Sequence, residues 1–182
     1  MLFSYQEAKK RHGSAYMIDK AIREGRCFKL ESGVYSDTGG EDELDIVQFK
    51  YPKSILTLDS AYFYHNLTDT IPDYYYLATG MHSARIADER IRQCYIAEDL
   101  LDVGVTEIDY AGSKVRTYDL ERLSIETARM KGRLASDLYK EVVLSLRKRI
   151  DDMYPARIGE YLANHPFPRK DAIERIIYEE IF

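Results

Sequence analysis

The chain has 182 residues, with 26 Lys+Arg against 31 Asp+Glu for a formal net charge of -5, 45% hydrophobic and 31% charged residues, 10 Gly, 5 Pro, 2 Cys and no Trp. Those figures exclude collagen-like, low-complexity, disulfide-scaffold and disordered chains. A chain of this length buries roughly 70% of the surface its unfolded form exposes, so one or two globular domains are expected without help from a metal or a disulfide.

Read in chain order, the first segment predicts helix, turn, helix, hairpin. Ser4 and Glu7 have the capping-box spacing of a short first helix, and Gly13 stops it. Ser14 opens a second helix to about Glu24, with Met17, Ile18, Ala21 and Ile22 on one face and Tyr16, Lys20 and Arg23 on another. Arg26 to Leu30 alternates as a strand, Glu31-Ser32-Gly33 turns, and Val34-Tyr35 returns. A hairpin after a helix-turn-helix is a wing, and the free basic and aromatic face, with Lys29 and Ser32 on the hairpin, suits a major groove and its flanking phosphates. The usual three-helix core of such a module calls for a helix before Ser4, so another part of the chain must close it.

The run from Ser36 to Glu43 has no apolar residue and reads as an acidic, glycine-containing linker over 38–45. Beyond it the pattern is mixed: a helix capped at Asp59 through Tyr64, strands at Tyr74–Ala78, Ile91–Ile96, Val105–Tyr110 and Lys114–Tyr118, then helices from Asp119. Leu134, Leu138, Val142, Leu146 and Ile150 form a stripe at i, i+4 intervals, and a last helix holds Ile173, Ile176, Ile177 and Ile181. The expected fold class is α+β: an N-terminal winged helix-turn-helix over residues 1–37, then a mixed α/β domain over 46–182 that ends in helices.

Charge is uneven along this chain. Residues 1–35 carry seven basic and four acidic side chains, a local +3, and residues 114–149 carry ten and five, a local +5. Phosphate binding depends on local potential, so both segments are candidate nucleic-acid faces, the second through Arg147, Lys148 and Arg149. The 16 tyrosines include the runs Tyr74-Tyr75-Tyr76 and Tyr62-Phe63-Tyr64, which no Lys or Arg flanks and which read as packing residues. The four histidines match no local metal spacing, the phosphate-cradle and nucleophile-elbow glycine motifs are absent, and no carboxylate pair stands out, so neither an enzyme nor a cofactor is expected. No apolar run reaches about 18 residues, no leader pattern opens the chain, and Cys27 and Cys94 belong to no C-x-x-C motif. Free thiols in a reducing compartment are expected, hence a cytoplasmic protein without a membrane partner.

The stretch Ser60-Ala61-Tyr62-Phe63-Tyr64-His65-Asn66-Leu67-Thr68-Asp69-Thr70-Ile71-Pro72 resembles the Ser-Ala-x-x-x-His-Gly-Leu-Thr-Asp-x-x-Pro signature of the AbiEi-like antitoxins, regulators of type IV toxin-antitoxin (abortive infection) systems. Glu24-Gly25 through Gly33-Val34-Tyr35 looks like that family's wing, Tyr118 to Leu123 like its Pro-Glu-Arg-Thr region, and Asp137 to Glu141 like its long helix. Within the signature Asn66 stands where the family has Gly, and Asn is the next best residue for a left-handed helix end. The resemblance implies an N-terminal winged helix that binds operator DNA and represses its own operon, joined to a C-terminal domain needed for antitoxin activity. It also implies a nucleotidyltransferase-like toxin that is opposed without a stable complex. The DNA-facing residues would be Ser14, Tyr16, Lys20, Arg23, Lys29 and Ser32, with Arg147, Lys148 and Arg149 adding phosphate contacts. The competing reading is a protein-interaction module, or an orphan regulator, that uses the winged helix to dock a partner.

Overall fold

Serine caps place the first two helices. In the computed structural model, which describes residues 1–182, Ser4 Oγ accepts the Glu7 N–H at 3.3 Å and helix α1 runs Tyr5–His12. Ser14 Oγ accepts the Met17 N–H at 3.3 Å ahead of α2, Ala15–Arg23. Before α1, where a three-helix module calls for a helix, lies a short strand, β1 (Leu2–Ser4). It pairs antiparallel with β3 (Val34–Ser36), which pairs on its other side with β2 (Phe28–Glu31), so the sheet order is β1-β3-β2. Phe3, Ala8, Ile18, Ala21, Cys27 and Tyr35 form one buried cluster between the helices and the sheet.

The boundary differs from the sequence reading. The chain divides into Met1–Pro52 and Lys53–Phe182, and a third helix, α3 (Glu43–Lys50), belongs to the first unit. Residues 38–45 are therefore not a free linker. Ser36 Oγ is fully buried, accepts the N–H groups of Thr38 and Gly39, and donates to Glu41; Thr38 Oγ1 also donates to Glu41, at 2.8 Å. Gly39 takes φ 74°, and a Cβ there would lie 2.7 Å from the Phe28 ring, so the turn needs glycine both for its backbone and for its clearance. Composition marked these residues as solvated; specific side-chain bonds make them a fastened turn.

The second unit is a five-stranded mixed sheet wrapped by helices. Strands β4 (Ile55–Leu56), β5 (Tyr75–Gly80), β6 (Ile91–Ile96), β7 (Val105–Tyr110) and β8 (Ser113–Tyr118) lie in the order β6-β5-β4-β8-β7. The pairs β5/β6 and β4/β8 are parallel, and β4/β5 and β7/β8 antiparallel. Helix α4 (Leu58–Tyr64) begins at an N-cap Thr57 rather than at Asp59. It ends with Asn66 at φ 56°, whose N–H reaches Phe63 O while Leu67 N–H reaches Tyr62 O, both at 2.8 Å. That is the left-handed helix end the Asn predicts. A short α5 (Glu98–Leu101) precedes β7, and α6 (Leu120–Arg129), α7 (Ser136–Lys148), α8 (Pro155–Asn164) and α9 (Lys170–Glu180) follow β8. Both units combine helices with an antiparallel or mixed sheet, so the chain is α+β.

Helix α6 is the centre of this unit. It contacts α4, α7, α8 and α9, and every residue from Leu120 to Ala128 is buried. Fully burying its Leu123 and Ile125 contributes roughly 1.5–3 kcal/mol each. No helix of the chain is long and apolar enough to cross a membrane.

Candidate nucleic-acid interface

Burial divides α2 into two faces. Ile18 and Ala21 turn into the core, whereas Tyr16 keeps 68% of its surface and Asp19, Lys20 and Arg23 are exposed beside it. The predicted grouping of Tyr16, Lys20 and Arg23 on one open face is thus present in the fold. Their charges carry light ties: Lys20 Nζ lies 3.9 Å from Glu24, and Arg23 Nε donates to Asp19 O at 3.4 Å. Interactions of that length between exposed groups cost little to exchange for a phosphate. Ser14 is exposed, but its hydroxyl already serves as the α2 cap.

The hairpin supplies the second part. Lys29 lies on β2 opposite Tyr35 and is exposed, and the register shifts between Lys29 and Glu31. Ser32 sits exposed at the tip beside Gly33, whose φ of 80° closes the turn. Helix α1 contributes two residues that sequence patterning did not single out. Lys9 and Lys10 are exposed in its last turn, and the signal was the run Lys9-Lys10-Arg11-His12 itself. Arg11 is committed to the fold: its guanidinium bonds Glu7 at 3.0 Å and Asp37 at 3.2 Å, lies over the Phe3 ring, and its pKa is raised, first by the Glu7 hydrogen bond.

The basic end of α7 lies in the other unit and is largely occupied. Arg149 bonds Asp152 and donates to the His65 carbonyl, both at 2.9 Å, and Arg147 Nε donates to the Glu180 carbonyl. Lys148 is exposed and lines a shallow depression with Asn66, Thr68, Asp69 and Glu141. Two of the three residues therefore tie α7 to its surroundings.

The residues that resemble the family signature hold the second unit together. Ser60 Oγ donates to Tyr74 O at 3.1 Å and accepts the Tyr76 N–H at 2.8 Å, clamping α4 to β5. His65 is buried and its Nε2 donates to Tyr118 O at 2.8 Å; burial pushes its pKa down to about 4, so the ring is neutral. In the Tyr118 to Leu123 stretch, Asp119 caps α6 by accepting the Arg122 N–H at 2.8 Å and accepts the Tyr161 hydroxyl at 2.7 Å. Burial raises the Asp119 pKa.

Arg122 lies in the same stretch, and helical periodicity and charge patterning give it no role. Its guanidinium is fully buried between the rings of Tyr118 and Phe167, 4.8 and 4.7 Å from their centroids, and donates to Leu100 O at 2.8 Å. Nε donates to Glu126 at 2.9 Å, and Nη2 lies 2.7 Å from the same oxygen as an ion contact without hydrogen-bond alignment. Gly104 makes room for it, since a Cβ there would lie 2.6 Å from Arg122 Cβ. This constellation is closed to solvent and performs the work of scaffold.

No family model matches the chain, and neither does any curated protein. Among solved structures the chain is similar to the crystal structure of the RV2827C protein from Mycobacterium tuberculosis, with a TM-score of 0.62 and 16% sequence identity over 91% of this chain and 67% of that one. A likeness at that identity shows a shared fold.

Proposed function

We propose that the chain is a DNA-binding antitoxin and transcriptional autorepressor of a type IV toxin-antitoxin operon, cytoplasmic, reading operator DNA through an N-terminal winged helix. The observation that carries the reading is the exposed face of α2, with Tyr16, Lys20 and Arg23, followed directly by a hairpin bearing Lys29 and Ser32. Strand, two helices and a two-stranded wing, closed by β1 in place of a first helix, is an arrangement that suits docking of α2 in a major groove. Lys9 and Lys10 extend the cationic surface to α1. The toxin side of the proposal rests on the Ser60 to Pro72 resemblance; it gives a nucleotidyltransferase-like toxin as the target, opposed without a stable complex.

The test is a titration of the whole chain against its own upstream DNA and a scrambled duplex at two salt concentrations. Specific, salt-sensitive binding is expected, and K20A/R23A weakens it and lowers the salt slope by roughly one unit for each phosphate that is no longer neutralised. Equal binding by the double variant places the reading surface elsewhere.

A second reading has its own observation. Met17, expected on the packed face, is 40% exposed next to Tyr16, so the two form an open apolar pair. A protein-docking module would use that pair, and M17A would then abolish partner capture while leaving weak DNA binding unchanged.

A further inference from the structure

The second unit carries a cleft that the DNA reading does not use. A cavity of about 390 Å3 lies between the end of α6 and the start of α9, with Arg129, Lys131, Arg133 and Arg169 on its walls, Ala128, Ile173 and Ile176 among its apolar lining, and no carboxylate. We infer that this cleft is a binding site for a small phosphorylated molecule with an apolar body, the phosphate held by Arg133 and Arg169 and the body laid on the isoleucines.

The argument is one of charge accounting. Arg129 lies 2.9 and 3.0 Å from the two oxygens of Glu126, a carboxylate it shares with Arg122, and Lys131 pairs with Glu180. Arg133 and Arg169 are exposed, form no ion pair, and both line this one cavity, so two cationic side chains border it without compensation. Like charges gathered around a concavity raise its affinity for an anion, and planar guanidinium groups match phosphate oxygens in pairs. Arg169 is also held at φ 58°, ψ 42°, a left-handed backbone that glycine adopts more easily, and it precedes α9 without a side-chain cap, so the N-terminal end of that helix, which carries Asp171 in its first turn, lies beside the same cleft. The buried Ile173 and the half-buried Ile176 add an apolar wall, which suits a ligand with an uncharged portion. The volume falls in the range of small-molecule sites, roughly 300–1,000 Å3, and is too confined for a duplex.

The experiment is calorimetric titration of the full chain with hexyl phosphate at fixed ionic strength, alongside inorganic phosphate, hexanol and a short DNA duplex. Saturable binding of one hexyl phosphate, tighter than either inorganic phosphate or hexanol, is expected. Removing both cations in R133Q/R169Q lowers that affinity about a hundredfold, at about tenfold for each guanidinium removed. A second variant guards against a folding artefact: R169G loses about tenfold in affinity while raising the melting midpoint of the free protein, because glycine suits the left-handed position. K20A/R23A, in the other unit, leaves hexyl phosphate binding intact whether or not the DNA reading holds. The inference is overturned if hexyl phosphate gives no saturable heat, if R133Q/R169Q binds it as the parent does, if K20A/R23A abolishes its binding, or if only the duplex binds.

Discussion

Helices α2 and α6 are both short, amphipathic and charged, and the fold uses their charges in opposite ways. In α2 two of nine residues are buried, and Lys20 and Arg23 make only loose interactions at the surface. In α6 nine consecutive residues are buried, and Arg122 and Glu126 meet inside the protein. A charge left in water is nearly neutral for stability and available for recognition. A charge taken out of water must be paired, and then any change to it is felt by the whole unit. A count of basic residues along the sequence does not distinguish the two cases.

The sharpest way to break this comparison is to remove the buried cation. Arg122→Ala leaves Glu126 with Arg129 alone and strands the Leu100 carbonyl, so a loss of about 3–5 kcal/mol is expected in urea denaturation. A loss below about 1 kcal/mol would mean that the pair is not desolvated as its burial implies.

Acid should separate the two units by the pH at which each loosens. His65 has its pKa lowered from 6.5 to about 4 by burial, so the unfolded chain takes up the proton first; its stabilising contribution is complete above about pH 6.5 and disappears as the pH falls towards 4. Glu41 has its pKa lowered from 4.5 to about 2, first by the Ser36 hydrogen bond, so its contribution is complete above about pH 4.5 and disappears towards pH 2. Amide exchange followed down a pH series should therefore show the second unit weakening before the first, the second by up to about 3 kcal/mol and the first by less, because Glu41 sits in a turn of mostly exposed residues where solvent screens its charge. His65→Gln removes the earlier step and Glu41→Gln the later one. A single simultaneous transition would refute the assignment.

The smallest expected effect completes the contrast. K20A/R23A should shift the stability of the chain by less than about 0.5 kcal/mol, whatever it does to DNA binding. A larger drop in the denaturation curve would mean that the α2 face is covered rather than open.

Much of the frame was legible because local chemistry decides it. Ser4 and Ser14 open helices and Asn66 closes one by bonds within a few residues, and β6 and β7 fall on the predicted ranges Ile91–Ile96 and Val105–Tyr110. The three residues of β1 and the two of β4 are too short to show a period, and their pairing is decided by distant strands. Asp59 looked like a cap, yet Thr57 holds that position, one residue after β4 ends. The supposed linker failed for another reason: Ser36, Thr38 and Glu41 bond one another, which composition alone does not reveal. At the candidate interface, the Tyr16, Lys20 and Arg23 spacing was readable from helical geometry. Arg147 and Arg149 were not, since their partners Glu180 and His65 lie 33 and 84 residues away. Arg133 and Arg169 escaped notice for the same reason, because only the packing of α6 against α9 brings their segments to one cleft.

The position of α6 also bears on how the protein is made. Its neighbours α7, α8 and α9 all follow it in the chain, so when α6 leaves the ribosome only α4 and the sheet are there to receive it. Until α9 arrives, Ile125, Ala128 and the Arg122–Glu126 pair lack much of their cover. The second unit must therefore close late in synthesis and nearly at once, while the first, whose own buried cluster is complete by Tyr35, is free to fold long before.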